Sequence, residues 1–145
     1  MSQADVREMV RRYFETQVEF ASHVGLRVDE VRAGGAVCSI DVDTAMHHNG
    51  MGTVHGGLHA TLIDTTMAAG VASLGLRGAT TQMNLHFVGA ARGGRLVCTA
   101  EVVHRTGRTA TAEARVHDEA GELLALATAS FRIFAEGLTA PPSAD

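Results

Sequence analysis

The 145-residue chain has no lysine and no tryptophan, only two cysteines, and only two prolines, Pro141 and Pro142. Each scarcity excludes something. All twelve basic side chains are arginine, and with a net charge of −4 the chain has no surplus of positive charge for nucleic acid. Cys38 and Cys98 are too few for a disulfide framework. Both fall in alternating apolar patterns and read as small buried hydrophobes. Aromatics make up only 4% of a chain that is 46% hydrophobic, so the core is built from Val, Leu, Ala, Met and a few Phe. The most apolar window, Leu58 to Leu76, is broken by His59, Thr61, Asp64, Thr65, Thr66 and Ser73. That reads as a buried helix, not a membrane span. The first residues show no basic stretch followed by an apolar one, so no secretory signal is read and the cytoplasm is the expected location. The length suits one domain, 1–136, with 137–145 expected as a disordered tail.

What is present is patterned. Val6, Met9, Val10, Tyr13, Phe14 and Val18 recur at helical spacing, which predicts an amphipathic helix over 4–20. Two strands, 24–33 and 35–43, flank a Gly34-Gly35 hairpin signal. A loop over 44–55 leads into a helix from Gly56 to about Leu74. Period-two alternation then predicts strands at 79–88, 95–105, 108–118 and 122–134, read as four consecutive hairpin-linked strands. In the first of these, Thr81, Met83, Leu85 and Phe87 are expected on one face. The fold class is α+β, with an antiparallel sheet curled around a long apolar helix. A sheet edge of this kind invites pairing with a second copy, so a homodimer with a continuous sheet is expected.

The chemistry concentrates in residues 49–64. Asp64 is the only charge on the apolar helix, and a carboxylate there is costly unless it is partnered or used. Gly56-Gly57 at the helix start leaves backbone N–H groups that can hold developing negative charge. Eight residues of helix separate Gly56 from Asp64, about 12 Å at 1.5 Å per residue. One chain therefore cannot bring both to one reacting carbon. A symmetric dimer could, by setting Asp64 of one chain against Gly56 of the other. Plainer readings stand beside these. Asp64 can be a buried polar group satisfied by Thr or backbone donors, and Gly56-Gly57 a tight start to the helix. His55 can bond backbone at the helix N-terminus, and Asn49 can close an Asx turn. His47, His48, His55 and His59 cluster in sequence. Gly56 stands where a zinc protease needs Glu, so no metal site is assigned.

Asn49-x-x-Gly52-x-x-His55-Gly56-Gly57 with Asp64 resembles the signature of the PaaI-like hotdog-fold acyl-CoA thioesterases. Met83-Asn84-Leu85-His86-Phe87, Arg105-Thr106-Gly107-Arg108 and Ala127-Thr128-Ala129-Ser130-Phe131 are also similar to that family, over about residues 20–135. The resemblance implies a hotdog fold and a homodimer, commonly paired into a dimer of dimers, with active sites at the dimer interface. It implies hydrolysis of an acyl-CoA thioester to free acid and CoA, with no separate cofactor. The Gly56 N–H would polarise the carbonyl, and Asp64 of the partner subunit would act as nucleophile or general base. Asn49 would orient the carbonyl or water, with His55 supporting that loop. Thr80 would help place water, with Thr81 the adjacent alternative. Gly57 would lie against substrate, and Arg108 would meet a CoA phosphate. Val88-Gly89-Ala90-Ala91-Arg92 lacks the Pro common in relatives after the third strand. Two other classes remain open, a hotdog hydratase or dehydratase and a non-catalytic acyl-CoA-binding module. The resemblance leaves the acyl group unassigned.

Overall fold

A computed structural model describes residues 1–136. The expected tail, 137–145, lies outside the described residues. The N-terminal helix is not continuous. A capping box between Ser2 and Asp5 starts α1, Gln3–Arg12, and its Val10 is buried. A π-helical turn at Tyr13–Gln17 follows, and Val18 leaves the helical region at φ −93°, ψ 91°. The chain then restarts as α2, Glu19–His23. Phe14 and Ala21 anchor this arm in the core.

The strands are β1 (Arg27–Arg32), β2 (Gly35–Asp41), β3 (Leu76–Phe87), β4 (Arg95–Arg105), β5 (Thr109–His117) and β6 (Leu123–Glu136). The central helix α3 spans Gly56–Ala72. All six strands form one antiparallel sheet in the order β1-β2-β4-β5-β6-β3. This corrects the expectation of four hairpin-linked strands. β4, β5 and β6 do form a meander, but β3 pairs with β6 at the far edge. The physical reason is α3. It carries the chain from β2 across the sheet, so β3 is laid down on the opposite side. Residues 88–94 then bring the chain back to place β4 beside β2.

Inside the curved sheet, α3 contacts every strand. Its own Leu62, Ile63 and Met67 are fully buried, as are Ile40, Leu96 and Phe131 of the strands. Alternate Ala residues of β5 and β6 (Ala110, Ala112, Ala114, Ala125, Ala127, Ala129) face inward and let the helix approach closely. This is the hotdog arrangement. Cys38 and Cys98 sit opposite each other on β2 and β4 as free, buried thiols, as their patterns predict. Among the described residues no helix is long and apolar enough to cross a membrane.

Candidate active site

The loop before α3 is held by its own side chains. The Asn49 amide oxygen accepts from the Met51 and Thr53 N–H groups at 2.8 and 3.1 Å, and its NH₂ donates to Thr53 Oγ1 at 2.8 Å. Gly52 supplies the positive φ, +74°, that closes this turn. His47 is buried, and its Nδ1 accepts from the Asp43 N–H at 2.9 Å. His48 Nε2 lies 2.5 Å from the Arg92 carbonyl. The Val54 N–H donates to the Ala91 carbonyl and the His55 N–H to the His47 carbonyl, both at 2.8 Å. The segment without the expected proline therefore serves as the loop's backstop.

His55 is the N-cap of α3, and its Nδ1 accepts from the Gly57 N–H at 2.8 Å. In the neutral ring this leaves the proton on Nε2. The His55 carbonyl accepts from the Leu58 N–H at 2.9 Å and, at 3.5 Å, from that of His59. Of the four N–H groups that open the helix, only that of Gly56 has no acceptor among the described residues. Both glycines have a steric reason. A Cβ on Gly57 would stand 2.9 Å from His55 Nδ1, and one on Gly56 would stand 3.3 Å from the Phe87 ring.

Two turns along, Asp64 is partly buried. The Thr80 hydroxyl donates to its Oδ1 at 2.5 Å. Among the described residues no cation pairs with this carboxylate, and Oδ2 takes no protein donor. Thr80 reaches it because β3 bulges between Thr80 and Gln82. The bulge puts Thr80, Met83, Leu85 and Phe87 opposite the inward residues Phe131, Ala129, Ala127 and Ala125. Thr81 is turned to the outer face, where its hydroxyl donates to the Ser130 carbonyl at 3.2 Å. The simple alternation had placed Thr81 with Met83. The extra residue of the bulge exchanges the two threonines.

Asp64 lines a depression of about 220 Å³ together with Phe20, Ala60, Thr61, Thr65 and Met83. None of these five neighbours was singled out from sequence as a site residue. The only available signal was that Phe20 lies beyond the last residue of the N-terminal apolar pattern. Arg108 lies in the β4–β5 turn, where its carbonyl accepts from the Ile133 N–H at 2.8 Å. Its side chain is exposed. The clustered histidines do separate jobs, and among the described residues no group of three or more His, Cys, Asp or Glu gathers to hold a metal ion. His59 is buried edge-on against Phe87, with ring centroids 5.9 Å apart, and burial pushes its pKa below 6.5. His47 Nε2 and His59 Nδ1 are buried without a hydrogen-bond partner among the described residues.

A helix start with one spare donor, a threonine-held carboxylate on the same helix and a curled sheet around it form a specific constellation. The family model for the thioesterase superfamily matches residues 51–125, just over half of the chain, which takes in the start of α3, Asp64 and Thr80. The chain belongs to the thioesterase superfamily. Human acyl-coenzyme A thioesterase 13 is 38% identical over 79 residues, covering 52% of this chain. The chain spans only 55% of that relative's length. The phenylacetic acid degradation protein PaaI from Thermus thermophilus, solved as a variant, superposes with a TM-score of 0.75 at 28% identity, over 80% of this chain and 99% of its own. A hypothetical thioesterase from Streptococcus pneumoniae, solved with coenzyme A, superposes with a TM-score of 0.78 at 24% identity, over 85% of this chain and 98% of its own. That protein was also solved with one Asp and, separately, one Thr changed to Ala, at positions sixteen apart. Asp64 and Thr80 have the same spacing.

Proposed function

We propose that this superfamily member hydrolyses an acyl-CoA thioester to free acid and CoA in the cytoplasm, as a homodimer that pairs into a dimer of dimers. The observation that carries the reading is the division of spare valences along α3. The Gly56 N–H has no acceptor, and the Asp64 carboxylate has no cation, among the described residues. Attack on the thioester carbonyl builds negative charge on its oxygen. The Gly56 N–H, backed by the helix dipole, is suited to receive that charge without reorganising. Asp64 attacks the carbonyl carbon, or takes the proton from an attacking water whose oxygen forms the new C–O bond. Collapse of the tetrahedral intermediate breaks the C–S bond and releases the CoA thiolate; where Asp64 was the nucleophile, water then attacks the resulting mixed anhydride, which frees the acid and restores the carboxylate. Thr80 fixes the carboxylate and leaves Oδ2 for this work.

About 12 Å of helix separates the two groups, so each site combines Asp64 of one subunit with Gly56 of the other. Two features support a partner there. Gly57, Ala60, Thr61, Asp64, Thr65 and Ala68 form a stripe of α3 that the chain does not fully cover. Among the described residues β3 pairs on one side only, with β6, and it carries the exposed Phe87. In this reading Asn49 and His55 act through the loop they brace, because the Asn49 oxygen and His55 Nδ1 are already engaged. Gly57 admits the His55 cap. Arg108 remains a CoA-phosphate candidate on charge alone. The human relative is named an acyl-coenzyme A thioesterase, and the Streptococcus relative was solved with coenzyme A.

The test is thiol release from acyl-CoA, with complementation between two inactive variants. Cys38 and Cys98 do not interfere, since burial pushes both thiols up to about 12. Asp64→Asn removes the base. Gly56→Pro removes the spare N–H at a first helical position that proline suits, after a His55 whose backbone is already extended, and its Cβ requires the Phe87 ring to give by a few tenths of an ångström. Co-refolded in equal amounts, the two inactive chains should regain about a quarter of wild-type activity if sites are shared across a two-fold axis. No recovery would reject the shared site. No thiol release by the wild type would reject the thioesterase.

A further inference from the structure

We propose that Phe20, delivered by the N-terminal arm, is the residue that selects the acyl group, and that the group selected is compact, a single ring or a medium-length chain. This rests on the acyl-CoA reading above.

Phe20 is 64% exposed, yet the arm that carries it is firmly held. The π-helical turn and the extended Val18 redirect the chain so that α2 starts afresh against the core. Glu15 Oε1 accepts from the Val28 N–H at 2.8 Å, next to the β1 irregularity, and the Ser22 hydroxyl donates to the Glu15 carbonyl at 2.7 Å. Ala21, the next residue, is completely buried. The Phe20 ring is therefore presented from a fixed frame. π-turns recur where a helix is bent for a functional purpose.

The ring forms one wall of the depression that holds Asp64. The walls are divided by polarity. Asp64, Thr61 and Thr65 are polar, whereas Phe20, Met83 and Ala60 are apolar. A thioester carbonyl brought to Asp64 would lay its acyl tail on Phe20 and Met83. The volume of about 220 Å³ sets the scale. A cavity of ~150 Å³ holds benzene, so this subunit's share of the pocket accommodates one ring or a medium chain, with Phe20 as one of its walls.

The experiment compares kcat/KM for benzoyl-CoA, hexanoyl-CoA and palmitoyl-CoA in wild type, Phe20→Ala and Phe20→Trp. Wild type should prefer the two compact substrates. Phe20→Ala should raise the palmitoyl-to-hexanoyl ratio about tenfold or more, mostly through KM, and Phe20→Trp should lower it. Circular dichroism checks that the arm is folded. If Phe20→Ala does not fold, Phe20→Trp and Phe20→Leu carry the same ratio test. A folded variant set whose ratios stay within about twofold of wild type overturns the selecting role while leaving the thioesterase intact. Turnover of none of the three substrates by wild type overturns both.

Discussion

The two faces of α3 are built on opposite rules. The face toward the sheet carries Leu58, Leu62, Ile63 and Met67, all buried, and its one hydroxyl, Thr66, donates to the Leu62 carbonyl at 2.6 Å. The other face carries Gly57, Ala60, Thr61, Asp64, Thr65 and Ala68, small or polar and only partly covered. The first face spends its valences internally and supports the fold. The second keeps a carboxylate with a free oxygen, on the same helix as a start with a free N–H. One helix can thus be both the pillar of the core and the frame of a site, because burial and chemistry are assigned to different sides of it.

The sharpest way to break this contrast is to change the open face and look for a stability effect. Asp64→Asn should lower kcat on the order of 10²–10⁴-fold while leaving Tm nearly unchanged. Thiol-release kinetics and a thermal melt on the same sample would measure both. A large drop in Tm would mean that Asp64 belongs to the fold. The converse change is Met67→Ala on the closed face. Met67 is fully buried, so the variant should lose about 2–5 kcal/mol of stability, read from denaturant unfolding. Activity at a temperature where it remains folded should stay close to wild type.

Thr80 lies at the seam of the two faces, and its removal is expected to be milder. Thr80→Val keeps the shape and strand preference but deletes the donor to Asp64 Oδ1. A hydrogen bond to a charged group contributes about 1.5–3 kcal/mol, so kcat should fall roughly 10–100-fold if that bond orients the carboxylate for reaction. Thr81→Val should have no such effect, since its hydroxyl faces the Ser130 carbonyl on the other side of the sheet. Equal losses from both variants would show that the bulge does not set the site.

That pair of threonines also marks where sequence reading stops. Alternation gives strands but cannot reveal an inserted residue, and a single bulge exchanged the inward threonine. The same limit applies to strand order. Residues 79–88 were legible as a strand, but period two says nothing about whether the partner is β4 or β6. The amphipathic pattern over 4–20 ran straight through the π-turn, because Tyr13 and Phe14 keep their spacing while the backbone hydrogen bonds shift. Candidate residues were easier to single out than strand order. Gly56 and Asp64 stand out by composition alone, as a glycine at a helix start and a lone charge on an apolar helix. Asn49 and His55 took the plainer of their two readings, an Asx turn and a helix cap. Phe20 was hidden because its place depends on an arm that the sequence presented as one helix.

The smallest expected effect tests the closed face at its weakest point. His59 is buried there against Phe87, with Nδ1 unpartnered, and burial lowers its pKa from 6.5. The neutral ring is therefore the folded form. As pH falls below about 6.5 the unfolded chain takes up a proton that the folded chain refuses, so stability is lost from there down to the folded pKa. The depressed carboxylates Asp5 and Asp41 act only below 3.8, so their window does not overlap the upper part of this one. Tm should decline between about pH 7 and pH 5, and His59→Leu should flatten that slope. The substitution also removes the unpartnered nitrogen, so it should not destabilise at about pH 8, where both states are neutral. Because Phe87 lies against both His59 and Gly56, the kinetics of His59→Leu carry separate information. An unchanged kcat with a flattened Tm profile would assign His59 to the closed face. A lower kcat with an unchanged profile would move it to the open one.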